Sequence, residues 1–220
     1  MTNLTRRRDF LKIGAKATAG LALFPASRVW GQPSFDLLIK GGTVLDGTGG
    51  PPWIGDIGLV GDTIQAIGSI GSEQTRRVID VSGLHVAPGF IDIHSHSDGD
   101  ILRYPSAESR VMQGVTTELT GNCGGSAAPR VEDLSGSILE ELAREHGIEN
   151  GWSDTASYLG VLEQVGISVN HALLLGHGTL RGTGAGTDNR ALSDDEMSEV
   201  LRSLEEGLDQ GAFGLSTGLE

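Results

Sequence analysis

From residue 89 to its end, the sequence alternates between short apolar segments and longer segments with helical periodicity, and this alternation is its most restrictive feature. The short apolar segments are strand candidates because glycine or polar residues bound them. The strand candidates are Gly89–Ile93, Val115–Thr120, Ile167–Leu175 and Ala212–Ser216, and the helical candidates are Ser106–Gln113, Ser135–His146, Thr155–Val165 and Ser193–Gln210. Strands that alternate with helices form βα units, so the sequence predicts an α/β fold with a parallel sheet.

Residues 32–87 have a different pattern, in which short β-prone segments follow one another without a helix between them. Asp46-Gly47 and Gly61-Asp62 are hairpin signals, and Gly41-Gly42 is expected to end the first strand. We therefore predict a small antiparallel β-sandwich unit over residues 32–87. Residues 88–220 are then expected to form a partial (β/α)8 barrel of the TIM type, with about the first four βα units, because a complete barrel needs roughly 250 residues. We expect the protein to be the N-terminal part of a larger fold.

The first 31 residues differ in charge from the rest of the chain. They hold six Lys or Arg and one Asp, whereas the remainder holds 10 Lys or Arg against 28 Asp or Glu. The segment Arg6–Lys12 contains an arginine pair before Phe-Leu-Lys, and the weakly apolar stretch Ile13–Pro25 follows it. This order resembles a twin-arginine export signal, and the alternative is an amphipathic helix of the mature fold. We predict that residues 1–31 are a cleaved signal, that the export machinery is a partner, and that the protein is periplasmic or secreted.

Composition excludes several classes of partner and framework. The formal net charge of −13 argues against nucleic acid as a partner, because a phosphate-binding surface needs clustered Lys and Arg. The single cysteine excludes an internal disulfide. The apolar stretch of the signal is too short to span a bilayer, so we expect no stable membrane insertion after cleavage.

Two histidines follow the first strand of the α/β region in the sequence His94-Ser95-His96. Residues two apart in an extended segment face the same side, so both imidazoles are expected to point to one place. Imidazole nitrogens are suitable zinc ligands, but two histidines in a polar turn have the same spacing without any function. The spacing alone leaves both interpretations open.

A lone cysteine occupies the equivalent position after the second strand. Cys123 lies in Gly121–Gly125, directly after Val115–Thr120, and parallel strands bring their carboxyl ends to the same edge. Its thiolate is a good zinc ligand, whereas a buried structural cysteine is the commoner role of an isolated one. The strand-end position between glycines favours a ligand.

The segment Val86–Asp98 resembles the first-strand motif of the amidohydrolase superfamily, whose members have a metal-bearing (β/α)8 barrel that activates water. Gly114–Gly124 is similar to the corresponding segment of D-aminoacylases, the N-acyl-D-amino-acid deacylases, and so are Leu175–Arg181 and Gly211–Leu219. The resemblance covers residues 35–220 and implies zinc held by His94, His96 and Cys123. It also implies hydrolysis of the amide bond of an N-acyl-D-amino acid, with a small-molecule substrate. The family's general-base aspartate and two further histidine ligands are expected beyond Glu220.

Three other residues are candidates for supporting roles. His177, at a strand end, is a candidate for polarising the substrate carbonyl or holding a loop, and a structural histidine is the alternative. Arg181 is a candidate for binding a substrate carboxylate, for which a structural ion pair is the alternative. Asp98 is expected to orient a ligand histidine through a hydrogen bond. His85, His146 and His171 are assigned no function.

Two other functions stay open at this point. One is a catalytically inactive remnant or a metal-binding interaction module, which the missing general base favours. The other is a cyclic-amide hydrolase of the same superfamily, resembling dihydroorotases or hydantoinases, against which Cys123 in Gly-Asn-Cys-Gly argues.

Overall fold

The computed structural model describes residues 35–72, 75–129, 136–186 and 188–218. The predicted export signal, residues 1–31, lies outside the described residues. The chain divides into two compact units, one holding the residues up to Leu45 with Gly49–Val86 and the other Asp46–Thr48 with the residues from Ala87 onward.

The first unit is a sheet of five described strands: β1 Leu37–Val44, β2 Trp53–Val60, β3 Thr63–Gly68, β4 Val78–Asp80 and β5 His85–Val86. β1 pairs with β2 and β2 with β3 in antiparallel fashion, and Gly61-Asp62 forms the predicted two-residue turn. The expectation of a wholly antiparallel unit is wrong for β4 and β5, which both pair parallel to β1. Two antiparallel pairings already make β3 run in the same direction as β1. β4 and β5 run in that direction as well, and they pair with the other edge of β1.

The predicted end of the first strand at Gly41-Gly42 is a bulge inside β1. The register with β2 shifts between Ile39 and Gly42, and pairing continues to Val44. The carboxylate of Asp56 stabilises the bulge, because its two oxygens accept the amides of Gly41 and Ile70 at 2.8 and 2.9 Å. A partner distant in sequence therefore satisfies the irregular backbone, and local glycine content did not reveal it.

The second unit contains the predicted parallel sheet. Its strands β6 Phe90–Asp92, β7 Val115–Thr120, β8 Asn170–Gly176 and β9 Gly214–Ser216 lie side by side in chain order, and all neighbouring pairs are parallel. The described helices of this unit are α1 Asp100–Arg103, α2 Glu108–Val111, α3 Gly136–His146, α4 Thr155–Val165, α5 His177–Ala185 and α6 Asp194–Asp209. Helices thus follow β6, β7 and β8, as the alternation predicted.

Side-chain caps begin two of the helices. Asp154 accepts the amide of Ser157 at the start of α4, and Ser193 forms a capping box with Glu196 at the start of α6. These helices have almost the bounds that the sequence predicts. Helix α5 was not predicted, because its three glycines disfavour a helix. The amides of Gly178 and Thr179 in its first turn donate to the carbonyl of Gly124, which stabilises its start from outside the helix.

The core of the second unit lies between the sheet and its helices. Tyr158 and Leu162 of α4 pack with Leu173 of β8 and Leu102 of α1, and all four side chains are almost fully buried. A smaller cluster joins Leu175 of β8 to α5 and α6. Within the described part of the chain, every helix is too short or too polar to cross a membrane.

Candidate metal centre

Three potential metal-ligating side chains converge at the carboxyl ends of β6 and β7. Each of His94, His96 and Cys123 offers one ligand atom, and these atoms all lie within 4.8 Å of one another. The Sγ of Cys123 is 3.3 Å from Nε2 of His94, and the two imidazole rings are 5.3 Å apart between centroids. All three side chains are exposed to solvent. The strands thus bring together the three residues that the sequence singled out, and their role as ligands remains a prediction.

The chemistry of this donor set fits zinc. Neutral imidazole nitrogens and a thiolate are its ordinary ligands, with bonds of about 2.0 and 2.3 Å in a tetrahedral arrangement. In that geometry a nitrogen and a sulfur on the same ion are about 3.5 Å apart. The observed 3.3 Å between His94 and Cys123 is close to this separation. The residues present would therefore accept the ion with little movement.

Cys123 is held in an unusual backbone conformation by its neighbours. Its φ of 54° lies in the left-handed region, which is sparsely populated by residues other than glycine. Ser216, at the end of β9, accepts the amide of Gly124 at 3.1 Å and donates to the carbonyl of Gly121. The segment on both sides of Cys123 is therefore anchored to a neighbouring part of the sheet.

Hydrogen bonds to backbone groups connect the segment His94–His96 to the end of β7. Asn122, which is almost fully buried, donates through its side-chain amide to the carbonyls of Ser95 and Leu119, at 3.2 and 2.8 Å. The amide of Ser95 donates in turn to the carbonyl of Leu119 at 3.1 Å. The two strand ends that carry the candidate ligands are consequently fixed to each other.

A buried carboxylate contacts the segment His94–Ser97 on the side of its two serines. Glu118 of β7 is fully buried, and its two oxygens accept the hydroxyls of Ser97 at 2.6 Å and Ser95 at 3.2 Å. Nε of Arg110 and Nδ1 of His171 lie 3.4 and 3.7 Å from the carboxylate. Burial raises the pKa of Glu118, but interactions with His171, Ser97 and Ser95 outweigh it and lower the pKa to about 2.

This low pKa predicts that the stability of the fold depends on pH. The pKa of Glu118 falls from 4.5 to about 2 on folding. Its ionised form therefore contributes to the free energy of unfolding above pH 4.5, and this contribution disappears as the pH falls toward 2. Full protonation would remove about 3 kcal/mol, of which about 2 kcal/mol is lost by pH 3. We expect urea unfolding of the metal-free chain to show that the stability difference between wild type and Glu118→Gln narrows by about 2 kcal/mol from pH 7 to pH 3. A constant difference would contradict the assignment.

A cavity of about 470 Å³ adjoins His96, one of the candidate ligands. His96, Ser97, Arg110 and Glu118 line one part of it, and residues of α1, of α2 and of the segment between them line the rest. It lies within the second unit and reaches the same carboxylate that contacts the two serines.

Among the described residues, His177 and Asp98 do not belong to the group of converging ligand atoms. Nη2 of Arg181 donates to the backbone carbonyls of Asp188 and Arg190. His177 is the first residue of α5 and is exposed. Burial raises the pKa of Asp98, whose carbonyl accepts the hydroxyl of Tyr158 at 2.9 Å. Among the described residues, Oδ1 of Asp98 has no hydrogen-bond partner and the hydrogen bonds of Asp98 do not reach either candidate histidine, so the roles of all three residues remain predictions.

Several residues around the candidate centre were missed by sequence reasoning. Ser216 and His171 were assigned no chemistry, and Glu118 and Asn122 were only parts of quoted motifs. The one available signal was Glu118 itself, a charged residue inside a strand in which every other side chain is uncharged. Its partners come from three different segments, so no spacing in the sequence connects them.

Comparison with known proteins gives a consistent picture. The amidohydrolase family matches residues 77–217. The chain is 41% identical over 187 residues to D-aminoacylase of Alcaligenes xylosoxydans xylosoxydans, covering 85% of this chain and 38% of that protein. It is 39% identical over 188 residues to N-acyl-D-glutamate deacylase of the same organism, covering 86% and 38%. The chain therefore spans well under half the length of these relatives.

A solved structure is similar as well. The crystal structure of N-acyl-D-glutamate deacylase from Bordetella bronchiseptica, complexed with zinc and a phosphonate inhibitor that mimics the tetrahedral intermediate, superimposes with a TM-score of 0.73 at 36% identity. The match covers 84% of this chain and 39% of that one. Similarity in sequence and similarity in fold thus cover nearly the same share of the chain.

Proposed function

This chain belongs to the amidohydrolase family, and from that premise we propose that it forms the metal-binding part of a hydrolase that cleaves the amide bond of N-acyl-D-amino acids. The observation that carries the proposal is the convergence of His94, His96 and Cys123 at the ends of two adjacent parallel strands. The similarity to two deacylases of N-acyl-D-amino acids supports the substrate class.

We infer that the four parallel strands are the first part of a (β/α)8 barrel. The four strands lie side by side in chain order, and helices lie between successive strands in the sequence, as in that fold. Large apolar side chains on the outer strands, Phe90 of β6 and Leu215 of β9, are exposed. Further strands beside them would bury these side chains.

Zinc is the proposed metal, because two imidazoles and a thiolate favour it. When bound, the ion would lower the pKa of a water molecule and polarise the scissile carbonyl. The chain's own contribution is positional: Asn122 and Ser216 hold the strand ends so that the three donors face one point. The general base is proposed to be an aspartate that follows Glu220 in a longer chain. We also propose export through the twin-arginine signal, and therefore a periplasmic or secreted location.

The test is a hydrolysis assay on the protein isolated from its native host, with its intact mass and metal content measured first. We expect release of D-amino acids from N-acetyl-D-amino acids, and no release from the L-isomers. Loss of the reaction on chelation, with recovery on adding zinc, is expected because activation of water requires the ion.

The same assay, extended to hydantoin and dihydroorotate, distinguishes the alternatives. Hydrolysis of hydantoin or dihydroorotate, without hydrolysis of N-acyl-D-amino acids, would assign the cyclic-amide function instead. A protein that binds zinc but cleaves none of these substrates would be a metal-binding module or an inactive remnant.

A further inference from the structure

We propose that Glu118 is a positioning residue for the metal centre: it holds the two serines that flank His96 and so fixes the direction of both candidate histidine ligands. The inference rests on the proposed metal site. It concerns a residue that touches none of the three donors and lies on the opposite side of the segment that carries them.

The geometry of the segment makes this coupling direct. Exposure alternates along the segment, which places His94 and His96 on one side and Ser95 and Ser97 on the other. The histidines are exposed, whereas the serines are almost fully buried. The two Glu118 oxygens contact one serine hydroxyl each, at 2.6 and 3.2 Å. A rotation that turned the histidines away would break both contacts.

The carboxylate is itself held from several directions. Arg110 faces it through Nε and also donates from Nη2 to Ser95 Oγ at 3.2 Å. His171 faces it through Nδ1, while its Nε2 lies 2.9 Å from Thr120 Oγ1 and 3.3 Å from the hydroxyl of Tyr158. Among the described residues, Nε of Arg110 and Nδ1 of His171 have no hydrogen-bond partner, so the carboxylate is the group that each faces.

A buried carboxylate is an expensive way to hold two hydroxyls if only stability is needed. Removing an ion from water costs free energy that its partners recover only with good geometry, and apolar residues of similar size often stabilise as well or better. Fixed acceptors behind ligand residues, however, set the orientation of those ligands and tune the metal. The arrangement of Glu118 behind both histidines corresponds to this second role.

The experiment compares metal affinity and folding in four variants of the 220-residue chain. Ser97→Ala and Glu118→Gln each disturb the contact, the double variant combines them, and Thr155→Val is the control. Thr155 is buried in the same unit, and its hydroxyl has no hydrogen-bond partner among the described residues. Co²⁺ affinity is measured by titration of the thiolate-to-metal absorption, Zn²⁺ affinity by competition with a chelator, and folding by thermal unfolding of the metal-free chain.

We expect Ser97→Ala and Glu118→Gln each to weaken binding of both ions by about 10- to 100-fold, the range seen when groups behind metal ligands are removed. The Co²⁺ spectrum should change with them, since the ligand directions change. The double variant should lose little more than Glu118→Gln alone, because both substitutions break one contact. Thr155→Val should bind both ions like the wild type.

Each contrary outcome has a distinct meaning. Variants that unfold at a lower temperature but bind Co²⁺ and Zn²⁺ with wild-type affinity would overturn the positioning role and leave Glu118 a structural residue. If Glu118→Gln does not fold, Ser97→Ala decides by the same criteria. A wild-type chain that binds neither ion would overturn the metal centre and this inference together, whereas normal binding by wild type and variants overturns the inference alone.

Discussion

Replacing Cys123 with alanine is expected to weaken zinc binding by roughly 100-fold or more. A structural zinc site with four protein ligands binds with about 10–16 kcal/mol, so each ligand contributes about 3 kcal/mol, and each 1.4 kcal/mol is a factor of ten. Cys123 is the one anionic donor among the three, and its Sγ lies 3.3 Å from His94 Nε2. Removing it leaves two neutral imidazoles, which hold a dication far less well.

The measurement is a chelator competition for zinc, together with the thiolate-to-metal absorption of the Co²⁺ form. Cys123→Ala should lack that absorption entirely. His85→Ala is the matched control, since it removes an imidazole from β5, in the other unit, and should leave the affinity unchanged. Wild-type zinc affinity in Cys123→Ala would show that the cysteine is not a ligand. The centre would then have to be sought among other residues.

The second large effect is expected from Gly121→Ala, which should destabilise the fold by about 4 kcal/mol, at the upper end of single substitutions. Gly121 has φ of +74°, and an alanine Cβ there would lie 1.9 Å from the carbonyl oxygen of Leu174 in β8. The left-handed conformation costs about 1–2 kcal/mol for an alanine, and the contact adds the cost of separating two strand ends. Because Cys123 follows two residues later, the metal site should be disturbed as well.

Gly166→Ala separates the two contributions. Gly166 ends α4 with a φ of +78°, but a Cβ there would meet no atom within 4 Å. Its alanine variant should therefore lose only the conformational part of the stability, about 1–2 kcal/mol. Chemical denaturation of both variants gives the two free energies of unfolding. Equal losses would mean that the close approach of Gly121 to β8 contributes nothing.

The sequence predicted the elements of the second unit well, and for identifiable reasons. The capping residues Asp154 and Ser193 and the apolar periodicity behind them are local signals, so helices α4 and α6 have nearly the predicted bounds. Val115–Thr120 was predicted with the bounds of β7. Helix α5 escaped prediction because its start depends on the carbonyl of Gly124, more than fifty residues earlier.

The candidate metal donors were also accessible to sequence reasoning. His94, His96 and Cys123 each follow a strand candidate, and parallel strands place their carboxyl ends at one edge. That rule is a property of the fold class and does not depend on details of packing. The three residues could therefore be predicted from the sequence, although the distances between them could not.

What the sequence determined by itself is thus the βα alternation and the edge at which three candidate metal-ligating side chains meet, because each depends on local periodicity or on a rule of parallel sheets. Only the tertiary structure decided the bulge that Asp56 stabilises, the parallel pairing of β4 and β5, and the contacts of Glu118. These depend on which distant segments become neighbours, and a buried carboxylate acquires its partners and its low pKa only when packing has brought them within reach.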